Sequence, residues 1–298
     1  MNDGLTAIGV DFGLTNLDVV VLSGSRCTHA VRLPSPGPAS PEALEAALAG
    51  LPAAAIPAAG RLLLAVTGGR HRDLPHEWEG LSLVKVSEPE AVGRGGLALA
   101  PELGPGAAAL VVSAGSGTSV VQAGPGGFAH VTGSGVGGGT LLGLAALTLG
   151  TADPLEVNRL ALLGDPRGVD STLLDTLGGG VGPLPAEATA VNFARAAEPG
   201  SAPSREDIAA GLVNMVAQVI AVIALNAAAR VGVKPVVVTG HLPDLPAFPP
   251  ALRRVWGYYS VPTPPILPAL GGAATALGAA LAAAGLDGVT ALPERGAA

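Results

Sequence analysis

Short apolar runs that end in glycine-rich turns recur along the chain and predict buried strands. Residues 7–22 have the pattern of strand, turn and strand, with Ile8 and Val10 before the polar turn 11–16. Residues 109–123 repeat this pattern around the turn 114–118. Each half of the chain is therefore expected to begin with a hairpin. Further strands are predicted at 61–66, 82–86, 128–132 and 235–239.

Helices are predicted where a capping residue precedes a longer apolar segment. Ser40 precedes a helix that ends at Gly50, and Ser204 precedes a long apolar helix that ends at Gly232. Asp207 stands where the acceptor of a capping box is expected. The Gly/Pro-rich stretch 178–202 is expected to be a loop. Other helices are predicted at 88–99, 140–149 and 271–284.

The length of 298 residues exceeds the size at which one hydrophobic core keeps growing, so two lobes are expected. We predict an N-terminal lobe over 1–104 and a C-terminal lobe over 105–298, because prolines and glycine cluster at 101–105. Hydrophobic residues make up 49% of the chain and aromatic residues 3%, so the cores must consist mainly of Ala, Val and Leu.

Charge and cysteine content exclude several classes of protein. The net charge of −7 offers no basic face for nucleic acid and no polybasic anchor for a membrane. The single Cys27 excludes an intramolecular disulfide and suits a reducing cytoplasm. No basic segment precedes an apolar stretch at the N-terminus, so a cytoplasmic protein is expected. Residues 208–233 are long enough to span a bilayer, but Asn226 and Arg230 favour a buried or interface helix.

Three glycine-rich turns at strand ends are candidates for binding phosphate, because glycine lets backbone N–H groups approach oxygen atoms closely. The first turn adds a carboxylate suited to a hydrated Mg²⁺ ion and a hydroxyl donor. The third turn leads into a helix whose N-terminal dipole favours anions. The candidate nucleotide-binding residues are Asp11, Gly13, Thr15, Gly115, Ser116, Gly117, Thr118, Ser119, Gly137, Gly138, Gly139 and, after the late strand, Gly240.

The segment 111–144 resembles the core of the type II, eukaryotic-like pantothenate kinases. That family has a GTGTS turn and then a GG-x-G-x-GGGT segment before a helix. Here the chain reads Gly-Ser-Gly-Thr-Ser at 115–119 and Gly-Ser-Gly-Val-Gly-Gly-Gly-Thr at 133–140. Weaker matches fall in the family's order at 11–15, 67–69, 88–91, 164–165 and 189–193, so the resemblance covers nearly the whole chain.

The resemblance implies an α/β fold with two RNase-H-like lobes of the actin-like ATPase (ASKHA) class and an ATP–Mg²⁺ cleft between them. It implies an ATP-dependent kinase of coenzyme A biosynthesis, with Glu88 as catalytic base and Asp11 holding Mg²⁺ through water. A carboxylate in this role accepts the proton of the attacking hydroxyl. The resemblance also implies a homodimer through the helix over 205–231. Pantothenate, or a different small hydroxyl compound, would contact His130, Gly133, Asn192 and Arg195.

Several positions depart from the family pattern. Leu14 replaces a glycine, and Asp18 replaces a lysine, so this carboxylate would repel phosphates unless it points elsewhere or binds metal. His130 replaces an arginine, and neutral imidazole lacks the forked, charged contact of guanidinium. His241 stands in a turn that is usually rich in serine. These departures keep open a changed substrate, or a nucleotide-binding regulatory dimer with little catalysis.

A dinucleotide-dependent oxidoreductase is the third alternative. Gly133, Gly135 and Gly138 satisfy G-x-G-x-x-G before a helix, and Glu156 stands near the expected acidic position. However, the strand that should lead to this acidic residue is missing, since 150–155 contains Asp-Pro. The oxidoreductase is therefore the least favoured of the three.

Overall fold

The computed structural model describes residues 4–56, 60–259, 261 and 263–293. The strands are β1 (Leu5–Phe12), β2 (Asn16–Ser23), β3 (Arg26–Pro34), β4 (Arg61–Gly68), β5 (Glu77–Trp78), β6 (Leu81–Lys85), β7 (Ala109–Ala114), β8 (Thr118–Gly124), β9 (Gly127–Ser134), β10 (Ser171–Thr172), β11 (Thr189–Val191) and β12 (Val236–Thr239). The helices are α1 (Pro41–Ala49), α2 (Glu88–Ala98), α3 (Gly138–Leu149), α4 (Pro154–Leu163), α5 (Leu173–Leu177), α6 (Arg205–Val231), α7 (Phe248–Tyr258) and α8 (Ala274–Ala284).

Two mixed sheets share the same central arrangement. The six-stranded sheet has the order β3-β2-β1-β4-β6-β5, and β1 pairs antiparallel with β2 and parallel with β4. The four-stranded sheet has the order β12-β7-β8-β9, and β7 pairs antiparallel with β8 and parallel with β12. The two predicted hairpins therefore occupy equivalent places, and each turn lies at the end of a central strand.

Two helices lie between the sheets, and each packs against the sheet formed by the other half of the chain. Helix α2 packs against β7, β8 and β9, whereas α8, near the end of the chain, packs against β1, β2 and β4. The two helices also lie against each other, and small residues allow it. A Cβ atom at Gly95 would lie 1.8 Å from the Ala274 carbonyl oxygen. A Cβ atom at Gly278 would lie 1.8 Å from the Ala91 carbonyl oxygen, so both positions require glycine. A division after residue 104 therefore separates the sheets but not the helices that cover them.

Helix α6 is the core helix of the second half and packs against α3, α4 and α7. Within the described ranges it is the one helix long and apolar enough to cross a membrane, and most of its apolar stretch is buried here. The Ser204 hydroxyl accepts from the Asp207 amide at 3.0 Å, as predicted. The capping box is not completed as expected, because the Asp207 carboxylate accepts from the Asp165 amide at 2.8 Å.

The predicted strands and helices are present, with ends shifted by a few residues. Strands β3, β5 and β10 and helices α4, α5 and α7 were not predicted, and β11 lies in the stretch that was expected to be a loop. For α4 the signal was the Asp153-Pro154 pair, which was interpreted only as evidence against a strand. Asp153 is in fact its N-cap, with the side chain accepting from the Leu155 amide at 3.1 Å, and Pro154 occupies the first turn.

Candidate active site

A cavity of about 430 Å³ lies between the two sheets, and both hairpin turns face it. Asp11, Gly13 and Thr15 line it from the first hairpin, and Gly115 and Ser116 from the second. The opposite part of its wall is apolar and comes from α3, α4 and the turn after β12. A polar end with backbone donors and an apolar end suit a nucleotide. The apolar residues are Leu141, Leu142, Pro154, Leu155, Leu242 and Leu245.

A second cavity of about 440 Å³ adjoins the same turns. It contains Glu88, the first residue of α2, and Leu14 at the tip of the first hairpin. A group bound at the hairpins is therefore accessible from two directions, one of which passes Glu88. The residues that line both cavities are Asp11, Gly13, Ser113, Gly115, Ser116 and Thr275.

The two hairpins contact each other directly across the cleft. The Thr15 and Ser116 hydroxyl oxygens are 2.6 Å apart, within hydrogen-bond distance. A Cβ atom at Gly115 would meet no protein atom closer than 3.9 Å, so it would project into open space. The first two predicted phosphate turns are thus brought together as one concave surface. Gly117, Thr118 and Ser119 continue this surface along the second cavity.

The third glycine turn has a different role from the one predicted. The amides of Gly138 and Gly139 donate to the carbonyl oxygens of Gly115 and Ser116 at 2.8 and 2.9 Å. A Cβ atom at Gly137 would lie 2.7 Å from the Ser116 oxygen, so only glycine fits this approach. These two amides are therefore not free donors for phosphate. The turn instead supports the second hairpin, and Gly138 contributes to the cavity wall.

Asp11 is buried within range of the charges of two other carboxylates. Burial first, and then the charges of Asp18 and Glu88, raise the pKa of Asp11 to about 7 against an opposing effect of His241. The paired strands also place Thr67 directly beside Asp11, and the Thr67 hydroxyl is buried without a hydrogen-bond partner among the described residues. A nearby divalent cation would stabilise the ionised form of a carboxylate that lies close to other negative charges, so the residues present fit Mg²⁺.

Asp18, which replaces the family's lysine, is buried and paired with the other half of the chain. Nε2 of His241 lies 2.8 Å from an Asp18 carboxylate oxygen, and Nδ1 lies 3.4 Å from Asp244. Arg32 forms an ion pair with Asp244 and lies 3.9 Å from Asp18. We call Asp18, Arg32, His241 and Asp244 the interlobe clasp. Its two carboxylates face two basic groups, so Asp18 is not an isolated negative charge beside the phosphate site.

The clasp determines the ionisation of His241. Burial by itself would lower the pKa of His241, but hydrogen bonds to Asp18 and Asp244 outweigh it and raise the pKa to about 9. Near neutral pH the imidazole is therefore protonated, and both ring nitrogens donate. Arg32 opposes this shift to a smaller extent. Because His241 and Arg32 also line the first cavity, two cationic side chains border the nucleotide site.

The predicted acceptor-binding residues lie apart from both cavities. Asn192 donates to the fully buried Asp170 at 3.2 Å, and Arg195 is paired with Asp175 at 2.8 Å. Burial raises the pKa of Asp170, although its hydrogen bonds oppose the shift. Their contact with a substrate stays a prediction, because neither cavity is lined by any of His130, Gly133, Asn192 or Arg195.

Sequence reasoning also missed several residues that the fold brings to the cleft. Ser113 directly precedes the second turn, so its position alone should have indicated it. Arg32 lies on the unpredicted strand β3, and Asp244 and Thr275 lie outside the three glycine-rich turns that were considered. Gly240 lines the cavity and has a φ of 90°, which glycine adopts without strain.

Comparison with known proteins agrees with this geometry. Residues 105–244 match the model of the Fumble family. A search of curated protein sequences found no match. Component A of (R)-2-hydroxyglutaryl-CoA dehydratase from Acidaminococcus fermentans aligns with a TM-score of 0.65 and 20% identity over 94% of this chain and 98% of its own. The activator of 2-hydroxyisocaproyl-CoA dehydratase from Clostridium difficile, with bound ADPNP, gives 0.60 and 19% over 94% of both chains.

A ROK family glucokinase from Streptomyces griseus, in complex with glucose and AMPPNP, aligns with a TM-score of 0.57 and 16% identity over 93% of this chain and 99% of its own. At these identities the three structures establish the fold. The α/β prediction with two actin-like lobes is confirmed, and so is the family resemblance. In sequence, residues 105–244 match the Fumble family, the type II pantothenate kinases, and the chain as a whole has the actin-like ATPase fold.

Proposed function

We propose that the protein is an ATP-dependent kinase that phosphorylates a hydroxyl group of a small molecule. The observation that carries this proposal is the pair of cavities that meet at the two hairpins, with Glu88 in the second. The first cavity has the polar and apolar ends that a nucleotide needs. The Fumble match and the ATP analogues in two structures of this fold support the same conclusion.

The residues of the second cavity account for the proton in the reaction. The acceptor hydroxyl oxygen attacks the terminal phosphorus of ATP, and the bond from that phosphorus to the bridging oxygen breaks to release ADP. The Glu88 carboxylate takes the hydroxyl proton. The turn amides and the hydroxyls of Thr15 and Ser116 hold and orient the phosphates. Asp11 would hold Mg²⁺ through water, and the ion supplies charge neutralisation on the phosphate oxygens.

The family resemblance adds three finer proposals. Pantothenate is the acceptor that it implies, which would place the protein in coenzyme A biosynthesis in the cytoplasm. It also implies a homodimer through α6. Met215, Val219, Val222 and Asn226 are partly or fully exposed and follow the three-to-four spacing of one helix face. Light scattering coupled to size-exclusion chromatography tests the dimer, and a monomer at micromolar concentration contradicts it.

The test of the reaction is ATP consumption with magnesium against pantothenate, hydroxy acids, sugars and polyols. Glu88→Gln should reduce turnover by about a hundredfold or more and leave ATP affinity unchanged. The matched control is Glu90→Gln on the same helix, since the Glu90 side chain pairs with Arg94 at 3.1 Å outside both cavities. Retained turnover in Glu88→Gln would remove this residue from the role of base.

A regulatory ATPase is the second candidate, favoured by the carboxylate of Asp18 in the lysine position. Two solved structures of this fold are described as a dehydratase activator and a dehydratase component. On this alternative, ATP is bound or hydrolysed without transfer to any acceptor. Product analysis separates the two candidates, because a kinase forms a phosphate ester and an ATPase forms only inorganic phosphate.

A further inference from the structure

The cavity that contains Glu88 has an unusual set of side chains for a site that would hold an anionic acceptor. Its charged side chains are the carboxylates of Asp11 and Glu88. Among the described residues that line it there is no lysine, arginine or histidine. The remaining polar side chains are neutral hydroxyls, on Ser113, Ser116, Thr118, Ser119, Ser134 and Thr275.

Three basic residues that could serve this site lie outside its lining. Arg70, after the turn 67–69, pairs with Asp73 at 2.8 Å. Arg195 pairs with Asp175 at the same distance. His130 is exposed on β9, outside the lining of the cavity. A carboxylate brought into this cavity would thus meet the Glu88 carboxylate and the phosphates of ATP, without a cationic side chain in the described lining.

Leu14 indicates a second property of the acceptor. It stands at the tip of the first hairpin with 88% of its surface exposed, and it lines the cavity beside Phe12. A hairpin tip in water is ordinarily satisfied by polar or small residues. When an apolar part of a ligand covers a large aliphatic side chain at the mouth of a cavity, the burial of apolar surface stabilises the complex.

We propose that the phosphoryl acceptor is an uncharged hydroxyl compound with an apolar group near the reacting hydroxyl, and that Leu14 contacts this group. The inference rests on the proposed kinase function and narrows its substrate class. It departs from the acceptor implied by the family resemblance, because pantothenate carries a carboxylate. Repulsion by the Glu88 carboxylate and by the ATP phosphates should favour the neutral acceptor by about tenfold or more.

Matched pairs of acceptors test the charge. Panthenol differs from pantothenate, and glycerol from glycerate, by a hydroxymethyl group in place of the carboxylate. With full-length protein and Mg-ATP, kcat/KM should be at least about tenfold higher for the neutral member of each pair. Panthenol should also exceed glycerol, because its two methyl groups can cover Leu14. Equal or greater turnover of the anionic members overturns the inference while the kinase function stands.

Substitution of Leu14 tests whether the acceptor lies beside this residue, because a cation there should improve the use of an anionic acceptor. Leu14→Lys places a cation at the cavity mouth, so the ratio of kcat/KM for pantothenate over panthenol should rise about tenfold. The matched control is Leu147→Lys, a leucine equally exposed on α3 and outside the cavity, which should leave that ratio unchanged. An unchanged ratio in Leu14→Lys overturns the placement of the acceptor. ATP use without transfer to any of the four compounds or to the wider panel refutes the kinase function and this inference together.

Discussion

The two hairpins occupy equivalent places in their sheets but differ in how their turns are supported. The β1–β2 hairpin carries charge, with Asp11 at one strand end and Asp18 on the next strand. The β7–β8 hairpin carries only hydroxyls and amides in its turn. The first is supported by charged side chains of the other half, through the interlobe clasp. The second is supported by backbone hydrogen bonds from Gly138 and Gly139.

This difference explains why the support of the second hairpin depends on glycine, whereas that of the first depends on charge. Backbone support requires glycine at each close approach, so Gly137 in the supporting turn cannot be replaced without steric conflict. Support by side chains can be rebuilt from different residues provided that the charges balance. A carboxylate in the lysine position is therefore compatible with a working nucleotide site, because His241 and Arg32 bring the positive charge from elsewhere.

The largest effect is expected from Asp11→Asn, which removes the central carboxylate of the first hairpin. Turnover should fall on the order of a hundredfold or more, because Mg²⁺ would lose the carboxylate that holds it at the phosphates. Without nucleotide, the free energy of unfolding at neutral pH should rise by about 1–2 kcal/mol, because a desolvated charge near two others is removed. Urea unfolding and ATP turnover check both parts. Asp73→Asn, an exposed carboxylate, is the control, and a destabilised Asp11→Asn would contradict the account.

A steric change tests the backbone support of the second hairpin. Gly137→Ala should lower the free energy of unfolding by about 1–3 kcal/mol and weaken ATP binding, because its Cβ would lie 2.7 Å from the Ser116 oxygen. Gly135→Ala is the matched control, since a Cβ atom there meets nothing within 4 Å. Chemical denaturation and calorimetric titration with an ATP analogue measure the two effects. Equal stability of the two variants would remove the supporting role of the third turn.

The clasp predicts a pH dependence of stability. The pKa of His241 is raised to about 9 from 6.5, so protonation stabilises the folded state below pH 6.5, and this contribution disappears as pH rises to 9. The loss is at most about 3 kcal/mol. Urea unfolding of the wild type and of His241→Gln at pH 6 and pH 9 measures this contribution. The charged groups that face His241 are Asp18, Asp244 and Arg32, with Asp11 nearby. Identical pH profiles of the two proteins would contradict the clasp.

The smallest effect is expected at the contact between the two hairpins. Thr15→Val removes the hydroxyl that lies 2.6 Å from the Ser116 hydroxyl. Because the pair is exposed, the free energy of unfolding should fall by less than about 1 kcal/mol, while KM for ATP should rise a few-fold. Thr148→Val is a matched control, because its hydroxyl bonds within α3 at 2.7 Å and lies outside both cavities. A KM equal to that of the control would show that the Thr15 hydroxyl does not reach the nucleotide.

The hairpins and the cleft could be predicted from the sequence because the residues that indicate them lie close together along the chain. A strand, a glycine turn and a strand lie within sixteen residues at each hairpin, so Asp11, Thr15 and Ser116 could be assigned to the site. The clasp was not predictable, because its contact joins Asp18 to a residue 223 positions away. The exchange of α2 and α8 was missed for the same reason. Leu14 was noticed only as a departure, since its exposure depends on what the fold leaves beside the hairpin tip.

Phosphorus NMR of the products tests the central claim most directly. Wild-type protein, Mg-ATP and the acceptor panel are incubated together, and the spectrum separates phosphate monoesters from inorganic phosphate. The account predicts ADP and one phosphate ester in equal amounts, with both lost in Glu88→Gln. Inorganic phosphate as the sole new product, with every acceptor, would contradict the kinase and leave the two hairpins as the site of an ATPase.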